Sequence, residues 1–192
     1  MKRVTLSLLV FTCVGCASFR PVDPAAGPIS MGRGEGLLVL HIDTDLALSS
    51  IVISGATAVE NLPVGVHTRI VAAPAGSYRW DRILPHPGGR GIRYQLPLFE
   101  DSWRFRVSSG RINYPGLLVL RKGGSGSVPH RVWIHTTDRS GMMLRRLEQA
   151  YPSLLERLPM TYSGRGRDEF PERLRAARQE RRAAEATSAG SP

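Results

Sequence analysis

The sequence predicts a mainly β protein, an antiparallel β-sandwich or small barrel with one or two helices at its C-terminal end. Three observations carry this. The apolar runs between residues 36 and 136 are short and rich in Val, Ile and aromatic side chains, as strands are. Gly and Pro separate them at close intervals, where turns require those residues. A helical period of apolar residues follows only after Asp138. Strands in succession with no helix between them pair antiparallel, and two such faces enclose a core as a sandwich or barrel.

The folded body is expected over residues 36–138. Its first strand, residues 37–42, is a continuous apolar run with His41 as the one polar member, closed by the turn Asp43-Thr44-Asp45; such a run reads as a buried strand. Residues 50–54, with Ile51, Val52 and Ile53, form the second and residues 68–73 the third. Pro74-Ala75-Gly76 suits a tight turn. Residues 77–84 return with Tyr78 and Trp80 on one face and Arg79 and Asp81 on the other, so a hairpin is expected. The stretch His86-Pro87-Gly88-Gly89-Arg90-Gly91 is too rich in Gly and Pro for regular structure and reads as a long loop. Then Trp103, Phe105 and Val107 alternate with Arg104 and Arg106, the period of a half-buried strand, and Ser108-Ser109-Gly110-Arg111 turns it. Residues 112–114, the Pro115-Gly116 step, residues 117–120 and residues 128–136 complete roughly seven or eight strands. In the last, Val132 and Ile134 alternate with Arg131, Trp133 and His135.

A helical extension is expected over residues 139–160. Asp138 is suited to cap a helix, Met142, Met143, Leu144 and Leu147 form an apolar stripe, residues 152–158 add a second short turn, and Pro159 ends it. Residues 161–192 read as a charged, largely disordered or solvated helical tail. Phe170 and Leu174 are its apolar anchors, a solvated helix fits residues 171–184, and residues 186–192 should be disordered.

Residues 1–15 have the three parts of an export signal: Lys2 and Arg3, an apolar block over residues 4–11, and the small pair Val14-Gly15. The block is eight residues long, short of the roughly 20 a spanning helix needs. The run Cys13-Val14-Gly15-Cys16 resembles the lipobox of bacterial lipoproteins, in which an aliphatic residue, a small residue and Gly or Ala precede the modified Cys. Val14, Gly15 and Cys16 match it, and Cys13 stands where Leu is commonest. The resemblance implies a diacylglyceryl thioether on Cys16, an acylated amino group and a mature chain starting there. Secretion after cleavage near Ala17 is the alternative. Two or more acyl chains anchor stably, each buried methylene contributing about 0.8 kcal/mol. Ala17 after the Cys, where Asp would imply retention at the inner membrane, implies the periplasmic side of the outer membrane. Residues 16–35 hold Pro21, Pro24 and Pro28 and no apolar period, and are expected to form a flexible tether reaching some tens of ångströms at roughly 3 Å per residue.

With Cys13 removed and Cys16 acylated, the mature body has no thiol. Disulfides, thiolate nucleophiles and Cys-ligated metals are thereby excluded. The formal charge is +10, yet an exported, anchored chain does not meet nucleic acid. Nearly all the basic residues are Arg, with Lys122 the one Lys after residue 2. That usage fits either a GC-rich genome or guanidinium faces for lipid head groups, lipopolysaccharide phosphate or cell-wall carboxylates.

The stretch Val71-Ala72-Ala73-Pro74-Ala75-Gly76-Ser77-Tyr78, with the later run from Phe105 through Ser108-Ser109-Gly110 to Tyr114-Pro115-Gly116, is similar to small bacterial lipoprotein domains of the DUF2846 group. The resemblance covers about half the chain. It implies an immunoglobulin-like or prealbumin-like sandwich and no defined activity, because its fixed residues are turn formers and core aromatics.

Candidate chemistry is sparse. His41, His67, His86, His130 and His135 lack zinc-ligand spacing, and His130 and His135 would face opposite ways on one strand. Asp43 and Asp45 lack the Gly and Glu of a calcium loop. Glu100 and Asp101 form an adjacent acidic pair that could serve as acid and base in glycoside cleavage, but neighbours on a strand point apart. No Gly-x-Ser-x-Gly elbow occurs, and Gly123-Gly124-Ser125-Gly126 lacks the phosphate-binding Lys. Met142 and Met143 read as packing residues, and Trp80, Trp103 and Trp133 as core or core edge, with an exposed pair able to stack on sugars. The expected protein is a non-catalytic binding or scaffolding module without metal or cofactor. Its expected partners are membrane lipid through Cys16, and an envelope protein or anionic envelope polymer through a sheet edge or the basic tail. A periplasmic cell-wall or glycan hydrolase is the alternative.

Overall fold

The apolar run of residues 37–42 lies at the centre of β2 (Glu35–Thr44), and both sheets of the molecule are arranged around it. The computed structural model describes residues 18–27, 29–86, 95–123 and 131–165. Outside them fall the expected export signal with Cys13 and Cys16, residues 87–94 of the expected loop, residues 124–130 with the expected Gly-Ser turn and His130, and the expected tail from residue 166.

Every residue of β2 pairs antiparallel with β5 (Gly65–Pro74). On its other side β2 runs parallel to β9 (Ile112–Tyr114) and β10 (Leu117–Gly123), which lie end to end. Leu38 pairs with Asn113 and His41 with Leu117, three steps along one strand against four along the other. The extra residue is a bulge at Pro115-Gly116, where Gly116 has φ +106°, a conformation that favours Gly. Beyond β10 lies β11 (Arg131–Thr137), antiparallel; beyond β9 lies β12 (Met160–Tyr162), parallel. At the far edge of β5 is β1 (Arg20–Pro21). The second sheet runs β4 (Ala56–Leu62), β3 (Leu48–Ile53), β6 (Gly76–Pro85), with β7 (Leu96–Pro97) and β8 (Arg104–Val107) sharing the outer edge of β6.

The two faces of β2 are buried against different layers. Leu38, Leu40 and Ile42 join Trp80, Ile83, Phe105 and Val107 between the sheets. Leu37 and Val39 join Met143, Leu144 and Leu147 of α1 (Ser140–Ala150) and Leu154 of α2 (Pro152–Arg157) on the outer face. A strand covered on both faces has no polar side to present, which is why residues 37–42 do not alternate.

The mainly β sandwich with C-terminal helices is therefore the observed fold, with four departures from the expected elements. First, Pro74-Ala75-Gly76 does not close a hairpin: β5 belongs to one sheet and β6 to the other. Val71 and Ala73 then meet Tyr78 and Trp80 across the core, and Tyr78 Oη donates to Pro74 O at 2.7 Å. Second, the pairing of β2 with β9 and β10, and of β9 with β12, is parallel, because the chain passes through the second sheet before β9 and through α1 and α2 before β12. Third, β4 was not expected, its buried positions being only Val59 and Leu62 among polar neighbours; β12 was not expected either, and it draws residues 160–162 of the extension and tail into the first sheet. Fourth, the described part of residues 16–35 is not an unpacked tether. Phe19 packs on Tyr78 with ring centroids 5.7 Å apart, β1 pairs with Ala72 and Val71, and Val22, Ile29 and Met31 pack against the helix-side core.

Candidate functional site

Two depressions lie at opposite edges of the first sheet. The first follows from how the N-terminal segment docks. After β1, the amide of Val22 donates to Ile70 O at 2.9 Å. Asp23 then accepts from the amide of Ala25 and starts a short 3-10 turn at Pro24 that carries the chain away. Arg20 pairs with Glu35 at 3.0 Å and donates to Ser30 O. The amide of Gly32, with Arg20, holds the Glu35 carboxyl below its ordinary range. The rest of the outer edge of β5 stays uncovered, and between it, β4 and the end of α1 opens a groove of about 730 Å³. Its walls include Val22, Ile70, Leu147 and Tyr151 as apolar groups, with Arg69, Arg146, Asp23, Glu60 and Thr68 as polar ones.

Beneath α1, beside this groove, lies a buried polar pair. His41 and Thr68 face each other across β2 and β5. His41 is 1% exposed, and its Nδ1 lies 3.4 Å from Tyr114 Oη. Its Nε2 and the Thr68 hydroxyl have no hydrogen-bond partner among the described residues. Burial, seconded by Arg146 and opposed by Asp43, lowers the His41 pKa to about 4. Burial likewise raises the Tyr114 phenol above its ordinary value.

The second depression, about 500 Å³, opens where β11 and β12 meet end to end along β9 and β10. Three distant segments build it: Glu100, Ser102 and Trp103; residues 134–138, with His135 and Asp138; and Tyr162 with Arg165. Backbone bonds from Ser163 N to Tyr114 O at 2.8 Å and from Arg106 N to Ser163 O at 3.2 Å tie the third segment to both sheets. Ser102 donates to Glu100 at 3.1 Å, and Asp138 accepts from the Ser140 amide at 2.8 Å. The lining is carboxylate, hydroxyl, imidazole and guanidinium beside an indole and a phenol, a set suited to hydrogen-bonding a polar, ring-containing ligand.

The sequence-derived candidates distribute as follows. Glu100 lines the cleft while Asp101 turns out to Arg104 at 2.9 Å, so the adjacent acids diverge. Asp43 ion-pairs with Arg121 and Asp45 accepts from the Lys122 amide, fastening β2 to β10. His41 is buried, His67 lies 2.8 Å from Pro63 O, His86 is exposed and His135 is in the cleft. Among the described residues no group of three or more His, Cys, Asp or Glu is close enough to hold a metal ion. Trp80 is core, Trp103 half-buried and Trp133 51% exposed. Tyr162 and Arg165 of the cleft, and Thr68 and Arg146 of the groove, were not singled out from sequence, and Asp138 was read there as a helix cap alone. Each belongs to a segment unremarkable until the sheet order brings it beside another.

No helix among the described residues is long and apolar enough to cross a membrane. Comparisons with family models, with curated proteins and with solved structures returned no match.

Proposed function

We propose that the chain is a lipid-anchored cell-envelope protein, acylated at Cys16, whose sandwich is a non-catalytic binding module facing the periplasm from the outer membrane. The observation that carries this is the spacing between lipobox and fold. Cys16 precedes by three residues Phe19, which already packs on the core. Three extended residues span about 10 Å, so an acylated Cys16 holds the β1 edge close to the head groups. In the first sheet β1 lies at one edge and β11 and β12 at the other, four strand spacings away, or about 19 Å. The polar cleft at the β11 edge therefore looks away from the anchored edge, towards envelope polymers or proteins.

The test is intact mass of the membrane-extracted protein beside a Cys16→Ser variant. The wild type is expected to carry the diacylglyceryl and acyl increment and to partition with membrane, and the variant to lose both. A wild type without the increment, or a variant still in the membrane fraction, overturns the reading.

One observation favours the second reading, an envelope hydrolase: Glu100, His135 and Asp138 line a single cleft. It predicts that purified protein releases new reducing ends from isolated cell wall and that Glu100→Gln abolishes this. Binding of the wall without release favours the module.

A further inference from the structure

We infer that the groove at the β1 edge is a binding site for one zwitterionic phospholipid, with the phosphate at Arg146 and Thr68 and an alkyl chain along Val22, Ile70, Leu147 and Tyr151. Three independent features point there.

The first is the shape and lining. A groove of about 730 Å³ lies within the range of small-molecule sites, which combine an apolar wall with a few polar groups. This one has its apolar side chains contributed by three separate elements, the segment after β1, β5 and α1, together with the residue that joins the two helices.

The second is a set of unsatisfied polar groups at one end. Arg146 is exposed on α1 and has no ion pair among the described residues. Thr68 of the lining has a buried hydroxyl without a partner among the described residues, and behind the wall, across the strand pair, the buried His41 Nε2 has none there either. A buried polar atom left unmade costs about 1–3 kcal/mol, and such atoms gather where a ligand or water completes them. A guanidinium beside a hydroxyl is a phosphate-binding pair, donating charge-assisted bonds to two oxygens.

The third is the balance of charge. The lining holds Arg69 and Arg146 but also Asp23 and Glu60, so the groove as a whole is neutral. A purely anionic lipid meets two carboxylates there. A head group that carries both a phosphodiester and an ammonium offers a partner to each sign. The nearness of the groove to the bilayer rests on acylation at Cys16; its chemistry does not.

The experiment is native mass spectrometry of the full-length protein, extracted in mild detergent and titrated with phosphatidylethanolamine or, separately, phosphatidylglycerol of the same acyl chains. A single non-covalent phosphatidylethanolamine adduct is expected, at least fivefold more occupied than the phosphatidylglycerol adduct at equal concentration. Arg146→Glu, which removes the phosphate donor on an exposed helix face, and Ala150→Trp, which fills the groove, should each lower occupancy at least fivefold. Absence of a one-to-one adduct, or an adduct indifferent to both variants, overturns the site. Equal occupancy by the two lipids overturns the zwitterionic assignment. The same samples measured under denaturing conditions report the covalent increment at Cys16. If the increment is missing while the adduct persists, the acylation reading falls and the groove stands.

Discussion

Replacing Asn113 by Leu removes a side chain that holds four backbone groups at once. Its Oδ1 accepts from the Ser108 amide at 2.9 Å, and its Nδ2 donates to Leu37 O, Ser108 O and Arg111 O at 3.0–3.2 Å. It is fully buried, so the variant leaves unpaired groups where the chain crosses from β8 to β9. The expected loss is about 2–4 kcal/mol, read from the denaturant midpoint. Gly36→Ala should cost a similar amount, because a Cβ there collides with Ser108 O and the Asn113 amide. His41 supplies a pH dependence. Its native pKa of about 4 lies below the ordinary 6.5, so between those values the unfolded chain binds a proton that the native chain does not. Stability is then full above pH 6.5 and falls as pH drops towards 4, by on the order of 3 kcal/mol from this one residue. His41→Phe should flatten that part of the stability profile in urea titrations at several pH values. A curve as steep as the wild type's would assign the effect to other groups. His41 was legible as a core histidine in sequence, standing alone in an apolar run. Asn113 was not, since nothing between Ile112 and Tyr114 announces that its amide ends at the carbonyl of Leu37.

Among the elements, α1 covers the outer face of β2, with Met143, Leu144 and Leu147 in one cluster with Leu37 and Val39. Leu147→Ala should destabilise by about 2–4 kcal/mol, as the side chain is 1% exposed in the outer core; Met142→Ala, half-exposed, should change the midpoint by less than about 0.5 kcal/mol. The N-terminal segment gives a sharper contrast. With residues 20–21 paired as β1, the Val22 amide that follows exchanges slowly because it donates to Ile70 O, and Phe19→Ala speeds its exchange. A free tether would exchange that amide at once. Strand content was readable wherever an element has an internal period: β6, β8 and the described part of β11 alternate as expected, with Tyr78, Trp80, Phe105 and Val107 buried and Arg104 and Arg106 exposed. The elements that were missed are those stabilised by partners rather than by pattern. β1 is two residues of Arg and Pro, and β12 is held by Ile112 and its neighbours. The Pro74-Ala75-Gly76 turn was recognised, but a turn does not state whether its strands share a sheet. That depends on Glu35 pairing with Pro74 and on Gly76 pairing with Val107, both distant in sequence.

For the whole molecule, the order of layers is helices, first sheet, second sheet, and the order of strands separates the β1 edge, where the N-terminal segment docks, from an edge with a polar cleft. Half of each depression was invisible in sequence for the same reason, since Glu100 and Asp138, or Val22 and Arg146, share a wall only after the sheets close. The parallel return of β9, β10 and β12 also sets a schedule for folding. β2 is among the earliest segments of the body to be synthesised, yet its neighbours lie about 30 and about 75 residues later, and β12 joins only after both helices have passed. Long separations slow closure of a sheet. As the chain emerges, β2 therefore waits with its apolar faces uncovered until residue 120 and beyond have followed it. A holding chaperone that binds residues 37–42 would have that interval in which to act.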